Sequence, residues 1–159
     1  MTKGTIDKIS KLHPSVRDEV TKIINEINTS VLTGDSKVII TQGLRTFTEQ
    51  DALYAQGRTK PGKKVTNAKG GQSVHNYGFA CDIALIIKDK EVSWDTKKDW
   101  DKDNQSDWME VVSVFKKYGW SWGGDWISFK DMPHFDKKGF GDWKKLLKLN
   151  KDKDGYVII

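Results

Sequence analysis

Nothing in this chain limits its fold as sharply as the run from Phe79 to Ile87. Phe79, Cys81, Ile83, Leu85 and Ile87 alternate with Ala80, Asp82, Ala84 and Ile86, so a strand would send the first set to one face and the second to the other. The pattern predicts a β-strand over 79–87 with Asp82 inside it. Lys88-Asp89-Lys90 reads as a turn into a second strand around Glu91 to Trp94. Val38-Ile39-Ile40, after the Gly34-Asp35 break, is a short β-branched run typical of a buried strand. Further short strands are expected around Trp120 to Trp122 and His134 to Phe135, flanking a Gly123-Gly124 turn.

Helical spacing accounts for much of the rest. Val16, Val20, Ile23, Ile24 and Ile27 share one face of a helix predicted from Pro14 to Ile27, with Pro14 suited to its first turn. Thr46 and Glu49 have capping-box spacing, which predicts a helix from Phe47 to Gln56 that stops at Gly57 and leaves Arg45 at a strand–helix junction. A third helix is expected near Asp107 to Tyr118, burying Trp108, Val111, Val112 and Phe115. A fourth, from Asp142 to Leu149, is expected to bury Trp143, Leu146 and Leu147. Residues 58–72 show no periodicity and form a loop long enough to have a functional reason. Helices mixed with hairpin strands imply an α+β fold, a small central antiparallel sheet with flanking helices.

Composition narrows the chemistry. A chain of 159 residues suffices for one domain, taken as 1–159 with its motif-bearing core at about 38–143. The net charge of +5, with the positive charge nearly all lysine, suits an anionic partner such as nucleic acid, membrane or wall polymer and selects none of them. One cysteine excludes an intramolecular disulfide and any multi-cysteine zinc finger. Strand alternation turns Cys81 away from Asp82, as a buried reduced thiol. No apolar run approaches the roughly 20 residues of a membrane span, and Met1 to Lys11 lacks a signal-peptide apolar region, which places the chain in the cytoplasm.

Two of the three histidines keep suggestive company. Ser73-Val74-His75-Asn76-Tyr77-Gly78-Phe79-Ala80-Cys81-Asp82 sets His75 just before the long strand and Asp82 within it. Asp131-Met132-Pro133-His134 sets a carboxylate three residues before a second imidazole. Two imidazoles and one carboxylate are a common ligand set for catalytic zinc. Such a site also needs a second, non-ligand carboxylate to take a proton from water, a role that Asp131 fits, while Arg45 suits an oxyanion. Spacing alone leaves capped or surface His and Asp as the alternative. His13, ahead of Pro14, reads as a capping or surface residue rather than a ligand.

The wider pattern settles that choice. Ser-x-His-x-x-Gly-x-Ala-x-Asp, followed much later by a carboxylate and a histidine, resembles the signature of zinc peptidases grouped with D-Ala-D-Ala metallopeptidases and hedgehog domains. Within that group it is most similar to phage endolysins and bacterial wall enzymes of the L-alanyl-D-glutamate peptidase type. Gly43-Leu44-Arg45-Thr46 with Glu49-Gln50, Leu53 to Thr59, Ser73 to Asp82, and Tyr118 to Trp126 running into Asp131 to Phe135 carry the likeness. The resemblance implies His75, Asp82 and His134 as zinc ligands, Asp131 as general base and Arg45 as electrophilic helper. Carboxypeptidase and dipeptidase relatives usually carry Glu at the base position; Asp131 followed by Pro-His is the endopeptidase-like form.

The function implied is a zinc-dependent peptidoglycan endopeptidase cutting the L-Ala–D-Glu bond of the stem peptide. A D,D-carboxypeptidase or D-Ala-D-Ala dipeptidase is the alternative, and a non-catalytic zinc-bearing wall-binding domain a second. Peptidoglycan is the expected partner rather than nucleic acid. A monomer is expected, with no separate wall-binding domain and with holin-type release carrying it from the host cytoplasm to the wall. Ser73 is open to a hydrogen bond with substrate or a ligand or to a turn-stabilising role, Tyr77, Trp122 and Trp126 to a substrate-lining or a packing role, and Gly123-Gly124-Asp125 to a substrate rim or a tight hairpin.

Asp99, Asp101, Asp103, Asp107 and Glu110 fall at about positions 1, 3, 5, 9 and 12 of a loop of EF-hand length. Asn104 stands where glycine is usual, and Asn tolerates a left-handed conformation. Calcium binding and a solvated acidic loop that caps the next helix are both open readings.

Overall fold

The computed structural model describes residues 1–159. The predicted long strand is β2 (Ala80–Ile87), and the sheet is organised around it. Strand β1 (Ser36–Gln42) lines one whole edge, from Ser36 opposite Ile87 to Gln42 opposite Asp82, with an irregular step after Ile40. The other edge is divided. Strand β5 (His134–Lys137) takes its start, Asp82 facing His134, while β3 (Glu91–Ser93) takes its end. Between them the Pro133 carbonyl accepts from the Ile83 amide at 3.0 Å. Strand β4 (Trp120–Trp122) pairs with the outer edge of β5, and every pairing is antiparallel. Burial of Ala80, Cys81, Ile83, Ala84 and Leu85 on both faces explains the central place of β2.

Helix α1 (Lys3–Lys11) has no counterpart in the sequence reading. Only Thr5 and Ile9 of it are buried, too thin an apolar stripe to announce a helix. It docks through polarity instead, Thr5 Oγ1 accepting from the Ile40 amide of β1 at 3.2 Å. Helix α2 (Pro14–Glu26) buries Val16, Val20, Ile23 and Ile24 and runs on into a π-helical turn, Ile27–Val31. His13 caps it, accepting from the Ser15 amide. The ring is buried rather than at the surface, with Nε2 donating to the Val157 carbonyl at 2.8 Å.

Helix α3 (Phe47–Ala55) carries the expected capping box between Thr46 and Glu49. Helix α4 (Asp107–Lys117) buries the four predicted residues under a Ser106 cap. Helix α5 (Trp143–Leu147) is shorter than expected at both ends, with Asp142 as its N-cap and Lys148 as its C-cap. Leu146 is buried, but Leu147 is half exposed, against expectation. Gly123-Gly124-Asp125 forms a short 3₁₀ turn that opens a wide loop over 123–133, so the tight hairpin reading does not hold.

Aromatic stacking ties these pieces together. Phe115 of α4 stacks on Phe135 of β5 with ring centroids 4.2 Å apart, and Phe79 lies between His13 at 4.4 Å and Phe140 at 4.3 Å. Such pairs contribute about 0.5–1.5 kcal/mol each beyond burial. Cys81 is free and fully buried, and burial raises its thiol well above its usual range, leaving it inert. No helix is long and apolar enough to cross a membrane.

Candidate active site

Asp82 sits where β2 meets Gln42 on one side and His134 on the other. Its Oδ1 lies 3.2 Å from His75 Nε2 and 3.3 Å from His134 Nδ1. The outer nitrogens are engaged elsewhere. His75 Nδ1 donates to the Gly43 carbonyl at 2.8 Å, and His134 Nε2 donates to Asp136 Oδ2 at 3.1 Å. With a proton on each outer nitrogen, the inner ones turn lone pairs toward a carboxylate oxygen, which is repulsive unless a cation or further protons join them.

The donor set fits a tetrahedral transition metal. Bonds of about 2.0–2.1 Å space tetrahedral ligands by roughly 3.3 Å, and the observed 3.2 and 3.3 Å separations match that edge. Both rings are nearly inaccessible. Burial opposes the charge on Asp82, but where protons rather than a cation occupy the inner nitrogens, hydrogen bonds from His134 and His75 outweigh it and hold the carboxyl well below its usual range. For His134 burial is likewise outweighed, by Asp136 and Asp82, which bring it up to about 9.

Short-range structure delivers His75. The 3₁₀ turn Val74–Tyr77 is capped by Ser73, whose Oγ accepts from the His75 amide at 3.3 Å. Asn76 Oδ1 accepts from the Gly71 and Ser73 amides, and its Nδ2 donates to the Arg45 carbonyl. Gly78 closes the turn at φ +77°, where an added Cβ would sit 2.4 Å from the His13 nitrogen. Only glycine satisfies both demands.

The loop before β5 delivers Asp131. Gly123 accepts from the Asp131 amide at 3.1 Å, and Trp122 Nε1 donates to the Met132 carbonyl at 2.7 Å. A Cβ on Gly123 would lie 2.3 Å from the Asp131 carbonyl oxygen, so the close approach depends on its absence. Burial and then the nearby Asp82 charge raise the Asp131 carboxyl above its ordinary value, against the opposing pull of His134, His75 and Arg45. Arg45 faces the same centre, its guanidinium donating to Gln50 Oε1 at 2.9 Å. Gln50 is fully buried and donates in turn to the Ala68 carbonyl.

The surrounding residues divide. Trp126 is part exposed, its ring 5.2 Å from that of His134. It borders a groove of roughly 630 Å³ lined by Lys64 to Asn67 and by Trp126, Phe129, Lys130 and Asp131. A larger open hollow, roughly 750 Å³, shares Arg45 but none of the histidines or aspartates of the cluster. Trp122 is buried. Tyr77 is buried too, its hydroxyl donating to the Gly71 carbonyl at 2.6 Å, so it does not line the groove. Asp136 was not singled out from the sequence, and Gln50 entered only as part of a motif, with no role of its own. For Asp136 the signal existed, because strand alternation puts it on the same face as His134. Gln50 acts only through contacts across two loops.

A family profile described as D-alanyl-D-alanine carboxypeptidase matches residues 66–137. The peptidoglycan L-alanyl-D-glutamate endopeptidase CwlK of Bacillus subtilis (strain 168) is 46% identical over 127 residues, covering 80% of this chain and 74% of CwlK. The chain belongs to the CwlK family of metallopeptidases. The L-alanyl-D-glutamate peptidase of Listeria phage A118 is 34% identical over 96 residues, 56% of this chain but only 31% of the phage protein. The crystal structure of the Serratia marcescens L-Ala D-Glu endopeptidase ChiX superposes with a TM-score of 0.54 at 19% identity, covering 86% of this chain and 88% of ChiX, and shares the fold. The motif resemblance and the α+β architecture read from the sequence are both borne out.

Proposed function

We propose that this CwlK-family chain is a zinc-dependent peptidoglycan endopeptidase that hydrolyses the L-Ala–D-Glu bond of the stem peptide. The observation that carries the reading is the sharing of Asp82 Oδ1 by the inner nitrogens of His75 and His134, whose outer nitrogens are already bonded. In this reading His75, Asp82 and His134 hold the zinc. Bound zinc lowers the pKa of water and polarises the scissile carbonyl. Asp131 accepts a proton from the attacking water and returns it to the departing amine of D-Glu, a task suited to a carboxyl with a raised pKa. Arg45, oriented by Gln50, meets the negative charge that develops on the carbonyl oxygen. Ser73 holds the His75 turn. Trp126 and the groove beside Asp131 take the stem peptide, with Lys64 and Lys130 available to its carboxylates.

Residues 1–159 carry the catalytic unit in this reading, acting as a monomer, and the +5 charge favours anionic wall polymer. The phage relative supports delivery from the host cytoplasm by holin-type release.

A D,D-carboxypeptidase is the second reading, favoured by the description of the matching family profile. Digestion of purified peptidoglycan, followed by mass spectrometry of the new termini, separates the two. The expected products carry a new amino-terminal D-Glu and disappear when a chelator is added. Release of free D-Ala without new D-Glu termini would overturn the endopeptidase assignment.

A further inference from the structure

Ser36 opens β1 at the end remote from the Gln42–Asp82 pair, roughly 20 Å away at about 3.3 Å per residue. Its hydroxyl donates to Asp107, a fully buried carboxylate at the start of α4. Asp107 is one of five gathered acids. Asp99, Asp101 and Asp107 bring ligand oxygens within 4.8 Å of one another, and so do Asp101, Asp103 and Glu110. Asp101 is common to both sets.

The basic surplus of the chain does nothing to neutralise this cluster. Lys and Arg number 27 against 22 Asp and Glu, yet none of the five acids forms an ion pair. Two of their oxygens, Asp101 Oδ1 and Glu110 Oε2, are shut off from solvent and accept no hydrogen bond. A buried carboxylate oxygen without a donor is strongly disfavoured, and these two stand among like charges. Burial, then the charges of Asp103, Asp101 and Asp107, pushes Glu110 up to about 7. Something positive is missing from the protein's own side chains at this point.

We propose that Asp99, Asp101, Asp103, Asp107 and Glu110 bind one calcium ion, independent of the catalytic cluster. Five carboxylates, with a main-chain carbonyl in the position of Gln105, supply the six to eight hard oxygen donors that calcium takes. Zinc prefers nitrogen and sulfur, and magnesium demands a stricter octahedron than a loop with several acids provides. Asn104 makes the sharp turn at φ +74°, as glycine does at the equivalent place in an EF-hand. Thr33 anchors the loop from outside, its amide and hydroxyl both donating to Asp101 Oδ2. The ion therefore braces the 99–106 loop, the turn before β1 and the start of α4 against one another.

Trp100 in the loop and Trp108 in the first turn of α4 serve as built-in antennae for terbium, a luminescent calcium substitute. The zinc-loaded protein is titrated with terbium and then with calcium, and its melting temperature is recorded with calcium, with magnesium and in calcium-free buffer. Expected are tryptophan-sensitised emission, its displacement by calcium, and a rise in melting temperature of about 5–10 °C at calcium a hundredfold above its dissociation constant. Glu110→Gln weakens binding at least tenfold, as does Asp103→Asn, an exposed change that spares the fold. His75→Ala keeps the response in full, because it touches only the catalytic cluster. No calcium-dependent shift at millimolar concentrations overturns the proposal. So does an equal response to magnesium, or undiminished calcium binding in both acidic-loop variants.

Discussion

The His75–Asp82–His134 cluster and the acidic loop at 99–110 both gather ligating side chains, but by opposite means. The first is assembled over long range: a turn brings His75, the centre of the sheet brings Asp82, and a strand more than fifty residues later brings His134. Every outward-facing nitrogen there already has a partner, so the orientation exists before anything binds. The second is contiguous in sequence, and two of its oxygens have no partner at all. Long-range assembly gives a rigid site for chemistry. Local assembly gives one whose order depends on its occupant.

Substitution tests this contrast most severely at the ligands. His134→Ala is expected to reduce zinc content after dialysis to background and to abolish wall hydrolysis, leaving the terbium signal of the acidic loop intact. Loss of both signals together would mean that the two regions are coupled.

Asp131→Asn should retain zinc yet lower kcat by about 10²–10⁴-fold. As the proposed base, Asp131 works only when ionised, and burial raises its carboxyl. The acid limb of kcat/KM should therefore lie above the ordinary carboxylate value near 3.9, activity falling as pH drops through it. An acid limb that persists unchanged in Asp131→Asn would remove Asp131 from that role. Next in size is Asp136→Asn, which keeps a hydrogen-bond partner for His134 but removes its charge. Zinc affinity should fall about 10–100-fold in a chelator competition, with an unchanged circular dichroism spectrum. Smallest is Tyr77→Phe, expected to cost about 1 kcal/mol in a urea melt through loss of the bond to Gly71 while KM stays constant.

What the sequence made legible follows the same divide. Period-2 alternation revealed β2, and helical spacing revealed α2 and α4, because those elements bury wide apolar faces. Helix α1 escaped notice because it attaches through the Thr5 hydroxyl rather than an apolar stripe. The grouping of His75, Asp82 and His134, and the roles proposed for them and for Asp131, came from motif resemblance, since no local rule connects Asp82 to His134. Tyr77 looked amphipathic enough for a groove, and only the tertiary contact to Gly71 consigns it to the interior. Leu147 fits the helical spacing but falls on the last turn of a helix too short to cover it.

The carbonyl of Pro133 bonds Ile83 at the place where β2 passes from β5 to β3. The loop that carries Asp131 thus also seals a gap in a strand whose backbone would otherwise be open to pairing with another molecule. Variants that lift this loop should therefore be recognisable on the purification bench before any assay, as protein that self-associates when concentrated.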